Sequence, residues 1–184
     1  DTPEPFVVGA VGALVSEAPV DTTAQVVDVP PAPSVSAAPS ASVSAAPSAS
    51  AAPSADIPLR DAAPAGPRTR RRFTAEDVHD FAFTAWDGFR SIEETTPAGV
   101  KLRCLFPEGY EEPARIQLDA VRFGLGYFGA AFGRYPYGTL TIVHPPWGAG
   151  EAGGMEYPTL ITTGGTWRKG FIESRELEIV TLHE

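Results

Sequence analysis

Apolar and polar residues change places in short runs through the second half of the chain. Residues 100–106 (VKLRCLF) alternate as a strand does, and Pro107, Glu108 and Gly109 end the run. Phe81, Phe83 and Ala85 alternate in the same way within residues 79–86, after a short polar turn at residues 75–78. The spacing then changes. Ile116, Ala120, Phe123, Tyr127, Ala130 and Ala131 recur at helical intervals and predict a helix over residues 114–132. Gly124, Gly126 and Gly129 weaken that helix in isolation, and they predict close packing against its neighbours. Thr139, Leu140, Thr141, Ile142 and Val143 read as a strand stopped by Pro145 and Pro146, and residues 157–163 as another stopped by Gly164 and Gly165. A last helix starts near Glu173 and meets no Gly, Asn or Pro before Glu184, so it reads as still in progress there. The order strand, strand, helix, strand, strand, helix predicts a mixed α/β fold.

The first half is patterned differently. Residues 6–15 are apolar, β-branched and spaced by glycine, which suits a strand or hairpin. The run is too short to span a bilayer and has no preceding Lys or Arg, so no targeting role is assigned to it. A second apolar stretch ends at Val26, Val27, Asp28 and Val29, and residues 1–29 are expected to hold strands whose partners are missing. Then a repeat begins. The eight residues 34–41 (SVSAAPSA) recur letter for letter at 42–49, and a shortened copy follows at 50–55. Side chains this small bury too little apolar area to offset chain entropy, and the prolines interrupt helix and sheet alike. Residues 30–67 are therefore expected to be a disordered Ala/Pro/Ser-rich linker or insertion. Arg68, Thr69, Arg70, Arg71 and Arg72 form a basic run, read as the solvated approach to a strand.

Charge and cysteine usage narrow the function classes. A net charge of -9 disfavours nucleic acid or an anionic membrane surface as the main partner. No segment reads as a membrane span. Cys104 is the single cysteine, which excludes an intrachain disulfide and a Cys-based zinc site within this chain. It assigns no compartment, and an exported or cell-envelope location is compatible with it. The chain opens at Asp1 without an initiator Met, and the expectation is that it is interrupted at both ends.

Two short motifs carry chemistry. His183-Glu184 alone says little, because a His-Glu pair at a helix end arises often by chance. Upstream lies Gly153-Gly154-Met155-Glu156-Tyr157-Pro158, with a strand and a helix start between the two. The combination resembles the zinc aminopeptidases of the membrane alanyl aminopeptidase (gluzincin) family, whose signature G-x-M-E-N precedes the zinc helix H-E-x-x-H. Residues 79–85 (HDFAFTA) look like the end of that family's N-terminal β domain, and Arg134-Tyr135-Pro136-Tyr137 like the segment leading to its signature. The likeness covers residues 73–184 in the expected order. One departure is that Tyr157, followed by Pro158, stands where the signature has Asn, which bears on substrate preference.

The resemblance implies a domain plan. Residues 1–29 would be a fragment of an N-terminal β domain, 68–99 its end, and 100–184 an incomplete thermolysin-like catalytic domain. It also implies site roles. In H-E-x-x-H, two histidines one helical turn apart bind zinc, and the Glu between them takes a proton from the metal-bound water. His183 would be a zinc ligand and Glu184 the general base. Glu156 would hold the substrate's free α-amine, and Gly153, Gly154 and Met155 would form the extended segment along the substrate. The substrate would be a peptide with a free N-terminus and the cofactor zinc, with only part of its ligand set in this chain. The piece alone is expected to be inactive and metal-free, with exposed apolar faces. The competing reading is a non-catalytic binding or scaffold homologue, and a third is a related hydrolase acting on something other than peptides. His144 is expected to be a surface or loop histidine, His79 a structural one, and Trp86, Trp147 and Trp167 packing residues.

Overall fold

Strand β7 (Lys101–Pro107) turns Leu102, Cys104 and Phe106 to one face and Leu105 to the other, and all four are buried. A strand that is apolar on both faces needs cover on both. The computed structural model describes residues 2–3, 6–20, 67–146, 148–149, 154–163 and 175–184, and it shows both covers. β7 lies inside a five-stranded sheet in the order β6 (Phe89–Thr95), β7, β8 (Thr139–Val143), β10 (Leu160–Thr162) and β9 (Met155–Tyr157). β7, β8 and β10 run parallel, while β6 and β9 close the two edges antiparallel.

Parallel neighbours cannot be joined by a tight turn. The link from β7 to β8 is α1 (Glu111–Phe132), which carries two acidic residues in its first turn, where the helix dipole favours them. Ala114, Leu118 and Val121 pack on Leu102, Cys104 and Phe106, with Leu140 and Ile142 beside them. Burial is confined to the first part of the helix, up to Gly124. Beyond it Phe128 is 41% and Phe132 85% exposed. The mixed α/β class is as expected.

The opposite face of the sheet is covered from the N-terminal side. β2 (Val7–Ala10) pairs with β5 (Phe83–Trp86), and Val11, Leu105, Val143, Leu160 and Phe89 form one buried cluster there. Arg103 donates from Nη1 to the Val8 carbonyl at 3.0 Å, tying this layer to β7. β3 (Ala13–Val20) and β1 (Thr2–Pro3) flank β4 (Arg68–Thr74) in a separate three-stranded sheet. The second of the described helices, α2 (Glu176–His183), packs against α1 where Gly124 meets Leu182. A Cβ on Gly124 would stand 2.9 Å from Leu182 Cδ2.

Several expectations change. The described strands of residues 6–20 have partners after all, because β2 and β3 pair with strands that lie beyond the repeat. The basic run is itself a strand: Arg71 pairs with Glu17 at 2.7 Å across β3 and β4. Residues 79–82 are irregular and only Phe83 begins β5. β6 was not anticipated, since its outward positions blur the alternation, and it pairs with β7 within the five-stranded sheet. Residues 157–163 make two strands instead of one, because Pro158 and Thr159 form a turn and Thr159 has a φ of 62°, outside the strand region. Of the three helical glycines only Gly124 is packed closely; a Cβ on Gly126 or Gly129 would meet nothing within 4 Å. The repeat through residue 66, the stretch 25–29, Trp147, Gly164, Gly165, Trp167 and the expected helix start at Glu173 lie outside the described residues.

His144 overturns another expectation. It is 1% exposed, in a polar knot between α1 and the ends of β8 and β10. Its Nδ1 lies 3.0 Å from Gln117 Nε2, which also donates to Thr163 Oγ1. Thr163 in turn donates to the Val143 carbonyl at 3.3 Å, and the Tyr110 ring sits 5.2 Å from the imidazole. His144 Nε2 has no partner among the described residues. An acceptor from a Gln amide is a neutral imidazole, and burial pushes its pKa down from 6.5 to about 4. The unfolded chain therefore takes up the proton first as pH falls. Stability is full above the unfolded pKa and declines between pH 6.5 and 4. Urea unfolding should show the natural chain losing about 2 kcal/mol more between pH 7 and 4.5 than a His144→Gln variant does.

Candidate functional site

The edge hairpin β9–β10 decides where the signature residues point. In its register Glu156 lies opposite Ile161, Met155 opposite Thr162 and Tyr157 opposite Leu160. Directly paired residues share a face. Ile161 belongs to the cluster under α1, and Leu160 to the cluster on the far side, with Tyr157 packed against it. Glu156 is thus on the helical face of the sheet, and Met155 and Tyr157 are on the other.

The hairpin is held in place through its turn. The Gly12 amide donates to Thr159 Oγ1 at 2.6 Å, and the Thr141 amide to the Thr159 carbonyl at 2.8 Å. Gly12 has a φ of 87° and its Cβ position is filled by Thr74 and Ala75, so glycine is required there. A strained threonine therefore joins the N-terminal segment, β8 and the strand that carries Glu156.

α2 delivers the second motif to the same place. Its Leu177 and Thr181 are buried, and Thr181 Oγ1 donates back to the Leu177 carbonyl at 2.7 Å. The Glu184 amide donates to the Val180 carbonyl at 3.1 Å, so Glu184 completes the last turn. Its carboxyl is held above the ordinary carboxylate range, first by burial and then by the charge of Glu156 and a side-chain hydrogen bond to it. His183 beside it acts in the opposite direction. Gly154 makes room for this contact: a Cβ there would lie 2.8 Å from Glu184 Cδ and would run into Oε1. Gly154, Glu156, His183 and Glu184 therefore converge, while Met155 faces away, 40% exposed. Gly153 lies outside the described residues.

A cavity of about 680 Å³ opens beside the pair, and Glu156, His183 and Glu184 belong to its wall. The rest of the wall includes Phe128, Tyr135, Tyr137 and His79. Tyr137 Oη donates to the Asp77 carbonyl at 3.0 Å and fixes the turn before His79. Tyr135 Oη donates to the Thr139 carbonyl, and burial with Tyr137 nearby raises its pKa. His79, placed by the sequence in a structural strand, is instead an exposed residue of the cavity wall. Chain pattern gives no signal for it, because residues 79–82 follow no period.

Chemically, the site offers two close carboxyl groups that favour a cation, an imidazole, and a carboxyl with its proton affinity raised. Among the described residues no three His, Cys, Asp or Glu side chains are grouped to hold a metal ion. His183 supplies one imidazole, so the described residues do not by themselves make a zinc site. No helix among them is long and apolar enough to cross a membrane. No protein-family model and no curated protein matches the chain.

Gly154→Ala should displace the Glu184 carboxylate without breaking the fold, because the group in the way is the end of a flexible side chain. A crystal structure of the variant should show that displacement, with unfolding free energy within about 1 kcal/mol of the parent. An unmoved Glu184 would show that the two do not touch.

Proposed function

We propose that the chain carries the amine-reading and proton-transferring part of a zinc aminopeptidase site of the alanyl aminopeptidase type, acting on peptides with a free N-terminus. The observation that carries this reading is the meeting of Glu156 and Glu184, two residues from separate motifs, beside His183. Glu156 would pair with the terminal ammonium, and a blocked or internal residue would leave that carboxylate unpaired in a partly closed site. Glu184, its pKa raised, would accept a proton and return it. His183 would be one zinc ligand, and zinc, when bound, supplies carbonyl polarisation and water activation. The sheet with its antiparallel edge strand would correspond to the first part of a thermolysin-like domain.

The second reading keeps the same cleft without catalysis. A chain with this cleft and no zinc would bind peptide N-termini without cleaving them. The two part on metal chemistry. In the protein supplied with a complete zinc set, Glu184→Gln should retain zinc and lower kcat by about 10²–10⁴-fold. Glu156→Gln should lower kcat/KM on aminoacyl anilides by roughly 10–100-fold. A fully active Glu184→Gln enzyme would remove the base from the account. These 184 residues alone should hold no zinc through dialysis and hydrolyse no aminoacyl anilide.

A further inference from the structure

The arginines of residues 68–72 have no part in the site at Glu156. They lie in β4, the middle strand of the three-stranded sheet, and its pairing with β3 fixes which face each takes. Thr69, Arg71 and Phe73 share one face, where Thr69 is buried and Arg71 is paired with Glu17. Arg68, Arg70 and Arg72 share the other, opposite Val20, Ala18 and Ser16. Arg70 and Arg72 are exposed, and no acidic residue of β3 stands on their face. Among the described residues Arg68 and Arg72 make no ion pair. Three arginines therefore stand in a row, their Cα atoms roughly 6.7 Å apart along the strand.

β3 beside them is an edge among the described residues, and residues 13–19 are exposed at every position. Such an edge accepts a further extended strand. The irregular step at Val15 and the proline at position 19 blunt it, so backbone pairing alone gives little selection. Charge supplies the selection. A strand added to β3 lies about 4.8 Å beyond it, and its alternate side chains repeat at the spacing of Arg68, Arg70 and Arg72. Ser16 and Ala18 between them are short and leave the guanidinium groups free to reach across. Carboxylates at alternate positions meet that row as planar, bidentate acceptors. Single-stranded nucleic acid needs aromatic side chains for its bases to stack on, and this face has none among the described residues. We infer that the β3 edge and its arginine row bind an extended acidic peptide segment with carboxylates at alternate positions. The surface is independent of the Glu156 site.

Titration calorimetry of the full chain with three probes tests it. The probes are a blocked heptapeptide in which Glu alternates with Thr, an isomer with its Glu residues adjacent, and an oligothymidylate of the same charge. The alternating peptide should bind at least about tenfold more tightly than its isomer, and salt at roughly 0.5 M should remove the advantage. Arg72→Gln should weaken it at least about threefold. Ala18→Glu, which offers the arginines a carboxylate from within the chain, should weaken it further. Both positions are exposed, so the thermal midpoints should stay unchanged, and Glu156→Gln should leave binding as it was. Equal affinity for the two peptides overturns the inference, as does thymidylate binding as tightly as the alternating peptide. Binding that survives both arginine-face variants, or the failure of all three probes to bind, overturns it too. So does a dimer in sedimentation that Ala18→Glu disperses, which would assign the edge to a second copy.

Discussion

Burial on both faces of β7 constrains everything around it. Leu102, Cys104 and Phe106 require a helical layer, and Leu105 requires a second layer from elsewhere in the chain. The first need is met by α1, whose early turns cover the sheet. The second is met by residues 7–11, which precede the repeat, together with the Phe83–Trp86 strand that follows it. Fully burying a residue such as Phe106 or Leu102 contributes about 1.5–3 kcal/mol. The sheet thus depends on segments separated by long stretches of chain, and the repeat separates them in sequence only.

The candidate site follows from that packing. With the sheet fixed, the turn at Thr159 sets the register of the edge hairpin, and the register places Glu156 on the helical face. Close approach at Gly124 and Leu182 sets α2 against α1, and the end of α2 then reaches the hairpin. Each of these contacts is local, yet together they bring two carboxyl groups within hydrogen-bonding reach. The juxtaposition has an electrostatic cost that burial increases, and it is relieved when the pair shares a proton or accepts a cation. Under the proposed function that cation is the ammonium group of a peptide's first residue.

Strong periodicity made β7, α1 and β8 legible as elements in the sequence, but the face of α1 was misplaced: it buries Ala114, Leu118 and Val121 and leaves Phe123 and Tyr127, expected on the inner face, exposed. β6 was hidden, since Arg90, Ser91 and Glu93 on its exposed positions dilute the pattern. The division of residues 157–163 was missed because a threonine with positive φ looks like an ordinary strand residue. The burial of His144 depends on Gln117 and Thr163, which come from two other elements, so no local reading could find it. At the candidate site, Glu156, His183 and Glu184 could be named from motifs, but the cavity wall of Phe128, Tyr135 and Tyr137 required the fold. Gly129 does not pack closely as expected, since a Cβ there would meet nothing within 4 Å.

The central claim is that Glu156 and Glu184 meet, and that Glu184 feels the charge of Glu156. Carbon-detected NMR titration of the Glu184 side-chain carboxyl, in the natural chain and in Glu156→Gln, tests it most directly. The account predicts a Glu184 pKa above the ordinary carboxylate range that moves down when residue 156 loses its charge. An ordinary value in the natural chain, or a raised value unmoved by Glu156→Gln, would contradict it.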